Sequence, residues 1–136
     1  MTMWPFTERI KTPEGEPYLT RYTLLHLPGL RVYLHHLHRA DEDRHLHDHP
    51  WNFTSLVLKG GYVEETLAGS REHRPGAVIR HRAEDVHRVA SLPKGSAWTL
   101  VFCGRKRRSW GFLVEQNWVD SSAYLRDAKG TAGARP

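Results

Sequence analysis

The chain has 136 residues, a formal net charge of +5 with histidine neutral, 39% hydrophobic and 26% charged residues, and five Trp, five Tyr and four Phe. That length encloses one core and is too short for two independent ones, and the mixture excludes a disordered chain. No run of about 18 apolar residues occurs, the opening MTMWPFTERIK lacks the layout of a secretory signal, and the lone Cys103 excludes an internal disulfide and a cysteine zinc cage. A cytoplasmic protein without a membrane partner is expected.

Residues 1–16, with Pro5, Pro13 and Gly15, read as an arm draped over the body. Strands follow at Pro17–Leu27, Arg31–His38, His45–His49, Phe53–Lys59, Tyr62–Leu67, Ala77–His81, Val86–Ser91, Ala97–Cys103 and Ser109–Val114, separated by turn signals such as LPGL, GG, RPG and LPKGS. Many short strands at this spacing predict an all-β sandwich, jelly roll or barrel, one domain over residues 1–128. Cys103 ends an apolar strand and is expected to be a small buried residue.

The excess charge sits late: residues 101–136 hold seven Lys and Arg against three Asp and Glu. Most of it is GRKRR, Gly104 to Arg108, which lies between two apolar runs and reads as a solvated hairpin loop, so no nucleic-acid partner is expected. Asp120 to Gly130 carries cap-type residues and a glycine stop, predicting one or two helical turns. Residues 129–136 offer nothing to bury and are expected to be a mobile tail.

Ten histidines stand in the chain, and His45, His47 and His49 fall on every second residue of RHLHDHPWNF. Alternate strand residues share a face, roughly 6 to 7 Å apart, so two such imidazoles can grip one ion. Imidazole suits Zn, Cu, Fe and Ni. The third ligand must come from elsewhere in the fold.

This stretch and RPGAVIRHRAEDVHRV resemble the two motifs of the cupins. His47 and His49 take the H-x-H positions, Gly60 or Gly61 the closing glycine, Gly76 the opening glycine of the second motif, and His87 its histidine. The resemblance covers roughly residues 31–103 and implies a cupin-type jelly-roll β-barrel with a metal on His47, His49 and His87. Departures are Asp41 at the first glycine position, Arg82, Glu84 and Ser91 at the second motif's Pro, Gly and Asn, and Phe53 or Thr54 where the family has its glutamate ligand. The remaining three-histidine face resembles the metal sites of thiol dioxygenases and related oxygenases.

A face of three neutral imidazoles leaves coordination positions open and leaves a divalent ion its full charge, which would attract an anionic ligand group. One divalent transition ion is expected, Fe(II) favoured, with Zn, Ni, Mn and Cu as alternatives. His45 and His35 are candidates for a fourth ligand or for support of the ligands, with His36 and Tyr33 beside the latter; His81 is a weaker ligand candidate. Trp51 and Phe53 offer apolar wall, and Arg80 or Arg82 could hold a substrate carboxylate. The expected function is a metal-dependent enzyme, an Fe(II) oxygenase or dioxygenase acting on a small thiol- or carboxylate-bearing substrate. The alternatives are a non-redox isomerase, lyase or hydrolase, and a small-ligand-binding protein without chemistry. The resemblance also implies a homodimer.

Overall fold

The computed structural model describes residues 6–12, 15–41 and 45–127. The expected tail at 129–136, the boundary at residue 128 and the first five residues of the expected arm lie outside them.

Among the described residues the strands form two antiparallel six-stranded sheets. The first orders β1 (Phe6–Lys11), β2 (Pro17–Leu27), β3 (Leu30–Leu37), β10 (Ala97–Cys103), β5 (Phe53–Lys59) and β8 (Val78–His81). The second orders β12 (Asn117–Asp120), β11 (Gly111–Val114), β4 (Leu46–His47), β9 (His87–Ser91), β6 (Tyr62–Thr66) and β7 (Gly69–His73). Among the described residues no helix is long and apolar enough to cross a membrane.

Alternation along the strands sets which side chains face inward. In β10, Ala97, Thr99, Val101 and Cys103 are buried, while Phe102 is exposed; in β5, Phe53, Ser55 and Val57 are buried. One core cluster joins Tyr33, Phe53, Val101 and Cys103 with Trp51 against them. A second joins Val57, Tyr62 and Ile79, bridging the two sheets. The jelly-roll expectation and the burial of Cys103 are therefore met.

The crossing from β5 into β6 depends on Gly60 and Gly61. Both have positive φ, 83° and 87°, and a Cβ would lie 2.1 Å from the Ser96 carbonyl oxygen at the first and 2.5 Å from that of His73 at the second.

Four local expectations need correction. The stretch read as an arm contains β1, which pairs with β2 from Phe6↔Thr23 onward; its exposed, weakly alternating FTERIK gave no inward face to recognise. The expected strand His45–His49 is regular only at Leu46–His47. Two strands were not anticipated: β7 is nearly all polar and exposed, and β12 follows a two-residue turn whose Glu115 and Gln116 take positive φ (49° and 72°) without any glycine. The GRKRR segment does not close a hairpin; it carries the chain from β10 in one sheet to β11 in the other. The expected C-terminal turns are present as α1 (Ser121–Asp127), where the Ser122 N–H donates to the Asp120 carboxylate at 3.0 Å.

Candidate metal centre

His47 on β4 pairs directly with His87 on β9, so neighbouring strands place both rings on the inner face. His49 lies past the end of β4, yet its backbone is pinned: the Asp48 N–H donates to the Gly111 carbonyl and the His49 N–H to the Ala83 carbonyl, each at 3.0 Å. These bonds keep the chain extended where the ladder stops. The result is three buried imidazoles with ring centroids 5.2 Å (His47 to His49), 5.1 Å (His47 to His87) and 4.8 Å (His49 to His87) apart. One ring nitrogen from each lies within 4.8 Å of the others.

The protons can be assigned from the partners. Glu64 on β6 is buried, and its Oε2 accepts from His87 Nδ1 at 2.5 Å and from His81 Nε2 at 2.6 Å, while Oε1 accepts from His73 Nε2 at 2.8 Å. Burial alone would raise this carboxyl, but the hydrogen bonds from His81, His87 and His73 outweigh it and hold it well below the usual carboxylate range. An ionised Glu64 holds a proton on His87 Nδ1 and leaves Nε2 as the nitrogen turned toward His49 Nε2, 3.4 Å away. His49 is itself driven well below the ordinary histidine value by burial and then by the neighbouring histidines, so it is neutral.

That neutrality creates a conflict that a cation resolves. If the His49 proton sits on Nε2, its buried Nδ1 is a lone pair with no hydrogen-bond partner among the described residues. If it sits on Nδ1, two lone pairs face each other across 3.4 Å. A divalent transition ion bound by both lone pairs and by His47 removes the repulsion, so the donor set fits one.

A second group of potential ligands, Glu64, His81 and His87, is also close together. Its chemistry fits an ion less well. Burial would lower the His81 pKa, but the hydrogen bonds and charges of Glu64 and Asp85 raise it; Asp85 Oδ2 lies 3.3 Å from Nδ1. Carboxylates at both nitrogens favour the imidazolium form of His81, which has no lone pair to give. This group reads as the hydrogen-bonded support of His87.

The other expected residues divide. Phe53, in the glutamate slot of the family pattern, packs its ring 4.5 Å from that of His49, and with Trp51 it lines the cavity above the histidines. His35 lines the same cavity on β3, but it accepts a hydrogen bond from Arg21 Nε at 3.1 Å. His36 lies elsewhere, stacked 3.9 Å from Trp98. His45 is not brought to the cluster: its Nδ1 meets the Tyr124 hydroxyl at 3.0 Å against α1, because a two-residue β4 does not extend alternation back to position 45. Arg80 and Arg82 are exposed and border a separate surface depression with Asn52 and Asp85; β8 turns Arg80 outward, and Arg82 lies just past its end.

Sequence reasoning did not single out Glu64 or Arg21. For Glu64 a signal existed, because it shares the inward parity of Tyr62, and a charge at an inward strand position needs partners. The cavity itself measures about 110 Å³ and is walled largely by aromatic and aliphatic side chains.

No protein-family model matches the chain, and no curated protein matches it in sequence. Solved structures do match. A Ralstonia eutropha JMP134 protein provisionally named a mannose-6-phosphate isomerase is 24% identical with a TM-score of 0.60, over 67% of this chain and 88% of that one. A sugar phosphate isomerase of the cupin superfamily from Silicibacter pomeroyi is 18% identical with a TM-score of 0.59, over 86% and 76%. The Fe(II) form of HppE is 17% identical with a TM-score of 0.60, over 76% of this chain and 59% of that one. Together with the two antiparallel sheets described above, these likenesses establish that the chain is folded as a cupin.

Proposed function

We propose that this protein is a metal-dependent cupin enzyme, with one divalent transition ion on His47, His49 and His87, and that it is an Fe(II) oxygenase of a small thiol- or carboxylate-bearing substrate. The observation that carries the reading is the convergence of three buried imidazoles on a cavity that, among the described residues, offers no free carboxylate beside them. Asp41, the acidic residue of that cavity, is committed elsewhere: it accepts from the Tyr18 hydroxyl and, at 2.7 Å, from the Val89 N–H.

An ion bound there supplies Lewis acidity and, if it is iron, redox chemistry. The chain supplies the rest. Glu64 orients His87 and keeps its proton on Nδ1; burial keeps His49 unprotonated; Phe53 and Trp51 limit water beside the donors. Likeness in fold to the Fe(II) form of HppE supports iron.

A second reading, metal-assisted isomerisation without redox change, is favoured by the names of two structural neighbours. The two separate in one experiment. Metal content is measured on purified protein, and oxygen consumption is followed with Fe(II) and a panel of small thiols and carboxylates. Iron-dependent uptake with product formation is expected. Zinc-only occupancy with full turnover of a sugar phosphate under anaerobic conditions would overturn the oxygenase in favour of the isomerase.

A further inference from the structure

Besides Asp41, the cavity of the three histidines is lined by a cation, and that cation has no close carboxylate partner among the described residues. Arg21 on β2 is only 9% exposed and lines the same cavity. Its Nε donates to His35 Nε2 at 3.1 Å, and its guanidinium lies 4.8 Å from the centre of the Tyr33 ring. The carboxylate that comes nearest is that of Glu8, 39% exposed, at 3.9 Å from Nη1. Among the described residues no shorter acceptor meets either Nη atom.

Buried cations are ordinarily paired and hydrogen-bonded, because the charged form loses its hydration on leaving water. His35 does not supply that pairing. Burial first, then the charge of Arg21, pushes its pKa down to about 3, so it braces the guanidinium as a neutral acceptor. Because Nε is already engaged, the Nη1 and Nη2 edge is what remains for a ligand, a fork that matches the two oxygens of a planar carboxylate.

Size narrows the ligand further. The cavity of about 110 Å³ is somewhat smaller than an engineered cavity of about 150 Å³ that admits benzene, so the part of a ligand seated within it is small. We propose that Arg21, braced by His35 and Tyr33, is an anion subsite facing the histidine cluster, and that the ligand of this cavity is a small aliphatic carboxylate. This deepens the functional reading above and rests on it for the ion at the other end, while the subsite itself is testable without metal. It also moves the carboxylate-binding role from Arg80 and Arg82, which border a different depression, to a strand residue that the motif comparison did not reach.

The test is calorimetric binding of butyrate and of its neutral isostere butyramide to the full chain, metal-free and Zn(II)-loaded, for wild type, Arg21→Gln and Arg21→Lys. Wild type is expected to prefer butyrate over butyramide by about 10- to 100-fold, the usual worth of hydrogen bonds to a charged group. Arg21→Gln should abolish the preference, and Arg21→Lys should retain part of it by keeping the charge without the fork. Zn(II) affinity should be the same in all three. Equal binding of the two probes to wild type, or a preference that survives in Arg21→Gln, overturns the subsite. If Zn(II) fails to bind wild type while the Arg21-dependent preference persists, the subsite stands and the metal reading falls. Should Arg21→Gln not fold, the wild-type preference and Arg21→Lys decide the matter.

Discussion

Two carboxylates are buried in this molecule to nearly the same depth, Asp48 at 2% and Glu64 at 3% exposure, and their partners differ in kind. Asp48 is held by Arg108, by the Gly111 N–H at 2.7 Å and by the Trp118 indole at 2.9 Å. None of these donors gives up its proton at ordinary pH, so the cluster can only hold β4, β11 and β12 together. Glu64 is held by three imidazoles, and one of them, His87, keeps its second nitrogen turned to the histidine cluster. Burial of a charge therefore does not mark a functional residue; the chemistry of its donors separates the structural anchor from the one beside the site.

The largest expected effect breaks the structural half. Asp48→Ala leaves a partly buried Arg108, the Gly111 N–H and the Trp118 indole without their acceptor, and breaking such a pair costs about 3 kcal/mol, the low end of the usual range because Arg108 reaches solvent. Against the roughly 5–15 kcal/mol of an ordinary domain this is a large share. Urea unfolding should show that loss, while Zn(II) affinity of the remaining folded protein stays unchanged. A large drop in affinity without loss of stability would reverse the roles assigned to the two carboxylates.

Glu64→Gln sharpens the other half. The amide keeps the volume but can accept at only one of its two polar atoms, so the His87 tautomer is no longer fixed. Metal affinity should fall by about 10- to 100-fold, as for other carboxylates behind a ligating histidine. Competition against a chromophoric chelator reads this directly; unchanged affinity would show that Glu64 does not act through His87.

A smaller effect belongs to His35, where the direction of the pH dependence follows from the lowered pKa. The folded chain keeps this imidazole neutral down to about pH 3, whereas the unfolded chain protonates it near 6.5. Between those values the unfolded state binds the extra proton, so stability falls as pH falls, by about 1.4 kcal/mol per pH unit. His35→Asn should remove that share of the slope between pH 6 and 4.5 in denaturant titrations. An identical slope in both proteins would mean that His35 is protonated when folded.

Much of this was legible in the sequence, for physical reasons that also set the limit. Strands with clean alternation, such as Ala97–Cys103 and Phe53–Lys59, announce themselves because one face is buried. The polar β7 and the edge strand β1 do not, since backbone pairing alone leaves no hydrophobic trace. The spacing of His47, His49 and His87 against the cupin motifs identified three residues that the fold brings together. Arg108 was read as part of a solvated turn because its partner Asp48 is 60 residues distant in sequence. Arg21 was missed for the same reason: its inward position on β2 is clear only once β3 places His35 beside it.

The central claim is that His47, His49 and His87 hold one ion while Glu64 and His81 stand behind them. Anomalous diffraction from crystals grown with Zn(II), recorded on both sides of the zinc edge, tests it most directly. The account predicts a single peak at about 2.0–2.1 Å from one ring nitrogen of each of the three histidines. A peak centred instead among Glu64, His81 and His87, or none at saturating Zn(II), would contradict it.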